Sequence, residues 1–255
     1  MFDNQETGVD VPQSAARRLT NIFFLVDTSG SMNEQGKIDA INNAMQEAIP
    51  IVRDFAAKEA SHKIQCSILE FNSGVNWITE QPVDAEDLQW IDLKGSGGTC
   101  LGAAYAQLAS KLSRKEGGVM AKHLNNAPII ILLTDGYPTD DSSAGLSLLK
   151  KNRWFMAAVK IALEITGGDV ERRQLIDFTG TNELVIPIAS ERLQKELKNI
   201  VVASMTNSTS AEDVVNALTG RDNNDKPTQE QSHAQEPTVT PTPNSGSIDL
   251  DDFDF

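Results

Sequence analysis

Short apolar runs alternate with amphipathic stretches along this chain, and that order predicts an α/β fold. The expected architecture is a mostly parallel central sheet with one antiparallel edge strand and helices on both faces. Three observations carry it. Ile22-Phe23-Phe24-Leu25-Val26 and the run at 128–133 are continuously apolar, too short for helices and suited to central parallel strands buried on both sides. Residues 36–58 place Ile38, Ile41, Ala44, Met45, Ala48, Ile49 and Val52 at three- and four-residue intervals, the period of a helix with one buried stripe. Beyond them strands and helices keep alternating, which implies crossover helices covering a parallel sheet.

Taken in order, residues 1–17 read as a flexible leader, followed by the first strand. The helix at 36–58 contains Pro50, whose missing N–H predicts a kink. Residues 63–72 read as the next strand and 75–79 as the short antiparallel edge. A helix at 103–112 precedes a glycine-containing loop and the strand at 128–133. A short helix at about 143–151 leads to Trp154-Phe155-Met156-Ala157-Ala158-Val159-Lys160-Ile161, read as a further buried strand. A helix at 169–178, a last strand at 184–188 and a closing helix at 191–202 complete a domain spanning 18–205. Residues 206–255 read as a linker and disordered acidic tail, polar and rich in Pro, Thr, Ser and Gln from about Arg221.

Composition narrows the function. The 255 residues are 40% apolar and 23% charged, as an ordinary globular protein is. A net charge of −14 argues against non-specific nucleic-acid binding, which needs clustered Lys and Arg. The stretch from Arg221 onward contributes −6 of it, leaving an acidic domain of −8. The chain has no basic-plus-apolar signal at its start and no apolar run near 18 residues, so a cytoplasmic location is expected and no membrane partner. Two cysteines make no disulfide framework: Cys66 reads as a small buried hydrophobe in a strand, and Cys100 stands at a helix start without a partner base. His62, His123 and His233 are scattered, with no metal-ligand spacing.

The chemistry concentrates where the apolar runs end. The first ends in Asp27-Thr28-Ser29-Gly30-Ser31, a carboxylate and hydroxyls at a strand's carboxyl end, where open α/β sheets bind ligands. Gly97-Gly98-Thr99 forms a flexible loop running into a helix, and the second run ends in Thr134-Asp135-Gly136. Two strand tips and one loop thus bring Asp27, Ser29, Ser31, Thr99 and Asp135 to one sheet edge, a set of hard oxygens suited to Mg²⁺, Mn²⁺ or Ca²⁺ rather than zinc. Met32, Tyr137, Pro138 and Asp140 flank it as candidate partner-contacting residues. Asp140 with Asp141 reads either as a helix N-terminal cap or as ligands of a second cation.

This discontinuous set resembles the metal-ion-dependent adhesion site of von Willebrand factor A-type (VWA) domains: Asp-x-Ser-x-Ser, then a Thr, then an Asp. The resemblance covers roughly 18–205 and implies a Rossmann-like VWA fold. The stretch Thr134-Asp135-Gly136-Tyr137-Pro138-Thr139-Asp140-Asp141, with residues 25–32 and 97–99, looks most like the bacterial TerY-like, tellurium-resistance-associated branch, although Cys100 stands where that branch has proline. By resemblance, Ser29 and Ser31 bind Mg²⁺ or Mn²⁺ directly, Thr99 directly or through water, and Asp27 and Asp135 mostly through water and hydrogen bonds. A partner's Asp or Glu then completes the coordination, giving a non-catalytic protein–protein contact within a stress-resistance or phosphorylation-linked assembly with kinase- or phosphatase-type companions. The competing class is a Mg²⁺-dependent phosphohydrolase of the haloacid dehalogenase type, which needs a second Asp where Ser29 stands. The tail's Asp249, Asp251, Asp252 and Asp254 offer carboxylates that cap the same site or dock elsewhere.

Overall fold

The computed structural model describes residues 18–219 apart from 60, 116, 121–124, 167–171 and 207–210. The leader, the tail and two of the three histidines therefore lie outside the described residues. Strand β1 (Arg18–Asp27) sits at the centre of the sheet because its alternate side chains are apolar in both directions. Ile22, Phe24 and Val26 enter one core layer, and Phe23 and Leu25 the opposite one. The chain continues through a 3-10 helix (Gly30–Gly36) and α1 (Lys37–Lys58) to β2 (His62–Phe71), then β3 (Val75–Trp77) and β4 (Val83–Asp84). After α2 (Leu101–Lys111) come β5 (Ile129–Thr134), α3 (Ser142–Lys150), α4 (Arg153–Ala157) and β6 (Val159–Ile165). The remaining elements are α5 (Arg172–Thr179), β7 (Val185–Ile188), α6 (Ser190–Thr206) and α7 (Ala211–Thr219).

The strands order β3-β2-β1-β5-β6-β7, with β4 also paired to β2. All pairs from β2 to β7 are parallel, and β3 and β4 run antiparallel along successive parts of β2. The predicted antiparallel edge is thus present as β3, and β4 adds a second short antiparallel piece beyond the predicted range. β7 closes the other edge and tolerates Pro187, since an edge strand need not donate on its outer side. One core layer packs the sheet against α1 and α6, and the other against α2, α3, α4 and α5. Among the described residues no helix is long and apolar enough to cross a membrane.

Helix α1 continues through Pro50 as expected; Pro50 and Gln46, whose carbonyl loses its donor, are both exposed, so water can serve there. The structure departs from the sequence reading in two places. The run at 154–161 is not one strand. Asn152 accepts hydrogen bonds from the N–H of Trp154 at 2.8 Å and of Phe155 at 3.4 Å, which starts α4, and the strand begins only at Val159. Apolar content does not separate a short buried helix from a buried strand. Finally, α7 follows the expected closing helix, and its Val214 is fully buried in the layer around α6.

Candidate functional site

From β1 the chain crosses to β2 on one side, and it later returns to pair β5 on the other side of β1. The carboxyl ends of these two strands therefore flank the switch point where a crevice forms. Asp27 is the last residue of β1, Asp135 directly follows β5, and neither has exposed surface. Asp27 accepts the Ser29 N–H through Oδ1 at 2.8 Å and the Thr134 hydroxyl through Oδ2 at 2.6 Å. Burial pushes its carboxyl up to about 6, despite those hydrogen bonds, which favour the charged form; the charge of Asp135 adds to the rise.

The hydroxyl oxygens of Ser29 and Ser31 lie 3.0 Å apart, and Ser31 donates to Asp135 Oδ1 at 2.8 Å. The other oxygen of Asp135 meets Lys37 Nζ at 2.6 Å, with both side chains wholly enclosed. Thr99 arrives on the loop before α2, which backbone bonds fasten to the β1 tip: Gly30 N–H to the Gly97 carbonyl at 2.9 Å and Ser96 N–H to the Thr28 carbonyl at 2.8 Å. Thr99 and Thr139 clasp each other, Thr99 N–H to Thr139 Oγ1 at 2.9 Å and Thr139 N–H to the Thr99 carbonyl at 2.9 Å. A Cβ on Gly136 would stand 3.2 Å from Thr99 Oγ1 and 3.4 Å from Asp27 Oδ2, so both oxygens border that one small residue. Gly97 is needed for its conformation: φ is +72°, and a Cβ would come 2.3 Å from Ser73 Oγ.

The five sequence-predicted oxygens thus gather at one place, and only Ser31 among them is more than marginally exposed. The flanking residues divide. Met32 has no exposed surface and belongs to the core layer under α1, which corrects its reading as a rim residue. Asp140, half-buried, accepts the N–H groups of Gly102 at 2.9 Å and Ala103 at 2.8 Å, so its carboxylate caps α2. Asp141 caps α3 through the Ala144 N–H at 3.1 Å, so the adjacent pair serves two helices, the capping alternative of the two readings. Tyr137, 52% exposed, and half-buried Pro138 remain at the surface next to Asp135.

Cys100 starts α2 without a side-chain cap, and its N–H donates to the Asn72 carbonyl at 2.7 Å, a bond that proline lacks the hydrogen to make. Cys66 is enclosed in β2, where burial pushes its thiol up to about 12. Two site residues escaped the sequence reading. Thr134 looked like the plain end of a strand. Lys37 looked like a polar residue on an amphipathic helix; its one signal is a positive charge in a first turn, where acids are favoured. Among the described residues no three His, Cys, Asp or Glu side chains gather, because most of the oxygen here is hydroxyl.

Comparison with known proteins agrees with this architecture. Proximal thread matrix protein 1 from the mussel byssus, solved with a zinc-occupied MIDAS motif, superposes with a TM-score of 0.52 at 21% identity over 75% of this chain and 46% of that one. A von Willebrand factor type A protein from Catenulispora acidiphila gives 0.51 at 17% identity over 74% and 43%. The pilus adhesin SpaC from Lactobacillus rhamnosus GG, in its open conformation, gives 0.56 at 17% over 79% and 30%. The chain spans less than half the length of each of these, and the likeness is one of fold. No curated protein matches it. The model of the von Willebrand factor type A domain matches residues 21–201, and the chain belongs to that family.

Proposed function

We propose that residues 18–205 form a non-catalytic, divalent-cation-dependent protein-interaction module, with Asp27, Ser29, Ser31, Thr99 and Asp135 as a metal-ion-dependent adhesion site for Mg²⁺ or Mn²⁺. One observation carries the reading: three hydroxyls and two carboxylates converge at the switch point with no softer ligand among them. Their spacing fits as well. Two neighbouring ligands of an octahedral Mg²⁺ at about 2.1 Å lie about 3.0 Å apart, and Ser29 Oγ and Ser31 Oγ are separated by 3.0 Å. The mussel protein's zinc-occupied motif, on the same fold, supports a divalent cation as the occupant.

In this reading Ser29, Ser31 and Thr99 hold the cation. Asp27 and Asp135, whose oxygens already accept N–H, O–H and ammonium hydrogens, act through those groups and orient the hydroxyls. When bound, the cation supplies an open coordination position that a partner's Asp or Glu completes. Tyr137 and Pro138 give that partner a partly apolar rim. The motif's likeness to the TerY-like branch supports a partner in a stress- or tellurite-resistance assembly with kinase- or phosphatase-type companions. The phosphohydrolase alternative gains nothing from the geometry, because the acid/base position two residues after Asp27 holds a serine hydroxyl directed at Ser31.

Calorimetry with Mg²⁺ and Mn²⁺ tests the site. Wild type is expected to bind at millimolar levels or tighter, and Ser29→Ala to lose at least tenfold in affinity with its circular dichroism unchanged. Absence of binding heat and of any thermal shift with either cation at several millimolar ends the reading. Pull-downs in Mg²⁺ against EDTA then identify the acidic partner.

A further inference from the structure

Lys37 is out of place by every ordinary rule. A lysine is almost never fully buried, yet this one has no exposed surface. It is the first residue of α1, where the helix dipole disfavours a positive charge. The backbone is forced to bring it there. Gln35 at φ 53° and Gly36 at φ 67° are consecutive left-handed residues, and Gln35 is the only non-glycine residue with positive φ among those described. Gly36 provides α1 with no side-chain cap, so the distortion gains the helix nothing itself. What it does is set Lys37 Nζ 2.6 Å from Asp135 Oδ2, while Ser31 donates to the opposite oxygen.

From this we infer that Lys37 is a built-in counter-cation of the site, a positioning residue that holds the Asp135 side chain in place before any metal arrives, and that limits how tightly a metal then binds. The physical case has two parts. A buried carboxylate without a partner is strongly unfavourable, and the ammonium removes that penalty, so the oxygen set is assembled in the metal-free protein. The same ammonium cancels one of the two carboxylate charges, and a dication entering beside it meets one net negative charge instead of two. It also saturates Asp135, which keeps that residue acting through the Ser31 hydroxyl. The site is thereby tuned to respond to abundant cation, not to scavenge traces. The affinity half of this inference rests on the metal-site reading above; the assembly half rests on the ion pair alone.

The test uses full-length protein and Mg²⁺. In Lys37→Met, the melting temperature in EDTA is expected to fall by roughly ten degrees, and Mg²⁺ affinity by calorimetry to tighten at least tenfold over wild type. The charge-balanced pair Lys37→Met with Asp135→Asn is expected to recover most of the lost melting temperature in EDTA while binding Mg²⁺ more weakly than Lys37→Met. A folded Lys37→Met that binds Mg²⁺ no tighter than wild type overturns the affinity half, and a double variant no more stable than the single one overturns the assembly half. If Lys37→Met folds only in Mg²⁺, the assembly half is supported directly; if it folds in neither condition, the double variant alone decides. Wild type that binds no Mg²⁺ defeats the metal-site reading and the affinity half, while the EDTA comparison still judges Lys37 as counter-cation.

Discussion

At its amino end β1 buries Thr20 and Asn21; at its carboxyl end it buries Asp27, together with Thr28, Ser29, Lys37 and Asp135 around the tip. The first group is neutral and held by short-range amide contacts: Asn126 Nδ2 donates to Thr20 Oγ1 at 2.9 Å, and Asn21 Nδ2 donates to Asn125 Oδ1 at 3.3 Å. With the Asn126 N–H on the Leu19 carbonyl at 2.8 Å, this forms a staple fixing the approach to β5. The second group carries two carboxylates and an ammonium. Neutral polar groups cost less to bury, about 1–3 kcal/mol even for the Asn21 Oδ1 that accepts no hydrogen bond among the described residues, whereas each buried charge carries a penalty of several kcal/mol that its partners must offset. A fold seeking stability alone would use the amino-end solution twice. Charges kept at the carboxyl end against that cost mark where the chemistry sits.

Asp135→Ala attacks the contrast most directly. It leaves Lys37 buried without its carboxylate, and denaturant unfolding in EDTA should show a loss of about 3–5 kcal/mol; a loss below 1 kcal/mol would mean that the ammonium finds water or another acceptor. Asp27 predicts a pH signature in the metal-free protein. Its folded pKa, about 6, lies above the ordinary 3.8, so between those values the folded state holds more protons than the unfolded one. From this group stability is greatest below about pH 4 and declines as pH rises to about 6, by roughly 3 kcal/mol at most. Comparing wild type with Asp27→Asn across pH 4–7 isolates the slope, and parallel curves would show that burial does not raise this group.

Gly97→Ala should cost about 2 kcal/mol, from the positive φ and the crowding against Ser73, with Mg²⁺ binding weakened because the Thr99 loop shifts. Unchanged melting and affinity would show the loop to be plastic. Asn126→Ala, at the neutral end, should cost only about 1 kcal/mol and respond neither to Mg²⁺ nor to pH between 4 and 7. If it did respond, the two ends would be coupled and the contrast between them lost.

The carboxyl-end oxygens were legible in the sequence because strand tips announce themselves: an apolar run stops, and the next side chains are hydroxyls and carboxylates. Lys37 was not, since its burial depends on Gln35 and Gly36 adopting left-handed conformations, which no periodicity records. Met32 read as rim because it adjoins Ser31 in sequence, yet the 3-10 turn swings it inward. That Asp140 caps a helix could be read from the sequence, but which helix could not, because its donors, the first N–H groups of α2, come from 37 and 38 residues earlier. Trp154–Ile161 failed for a local reason: one asparagine side chain at 152 decides between helix and strand, and hydrophobicity is silent on the choice.

The pairing of β1 with β5 also imposes a timetable. Asp27 and Asp135 are 108 positions apart, and a ribosome adding about 5–20 residues per second needs roughly 5–20 s to cover that distance. Through that interval β1 and β2 can already pair, while the Ser29–Ser31 loop waits without its second strand and Lys37 has no carboxylate to accept it. A nascent chain stalled before Ile129 therefore presents an open sheet edge on β1 and a lysine that must stay hydrated. Burial of that ammonium becomes a late event in the life of the chain, and a marker of when the domain has closed.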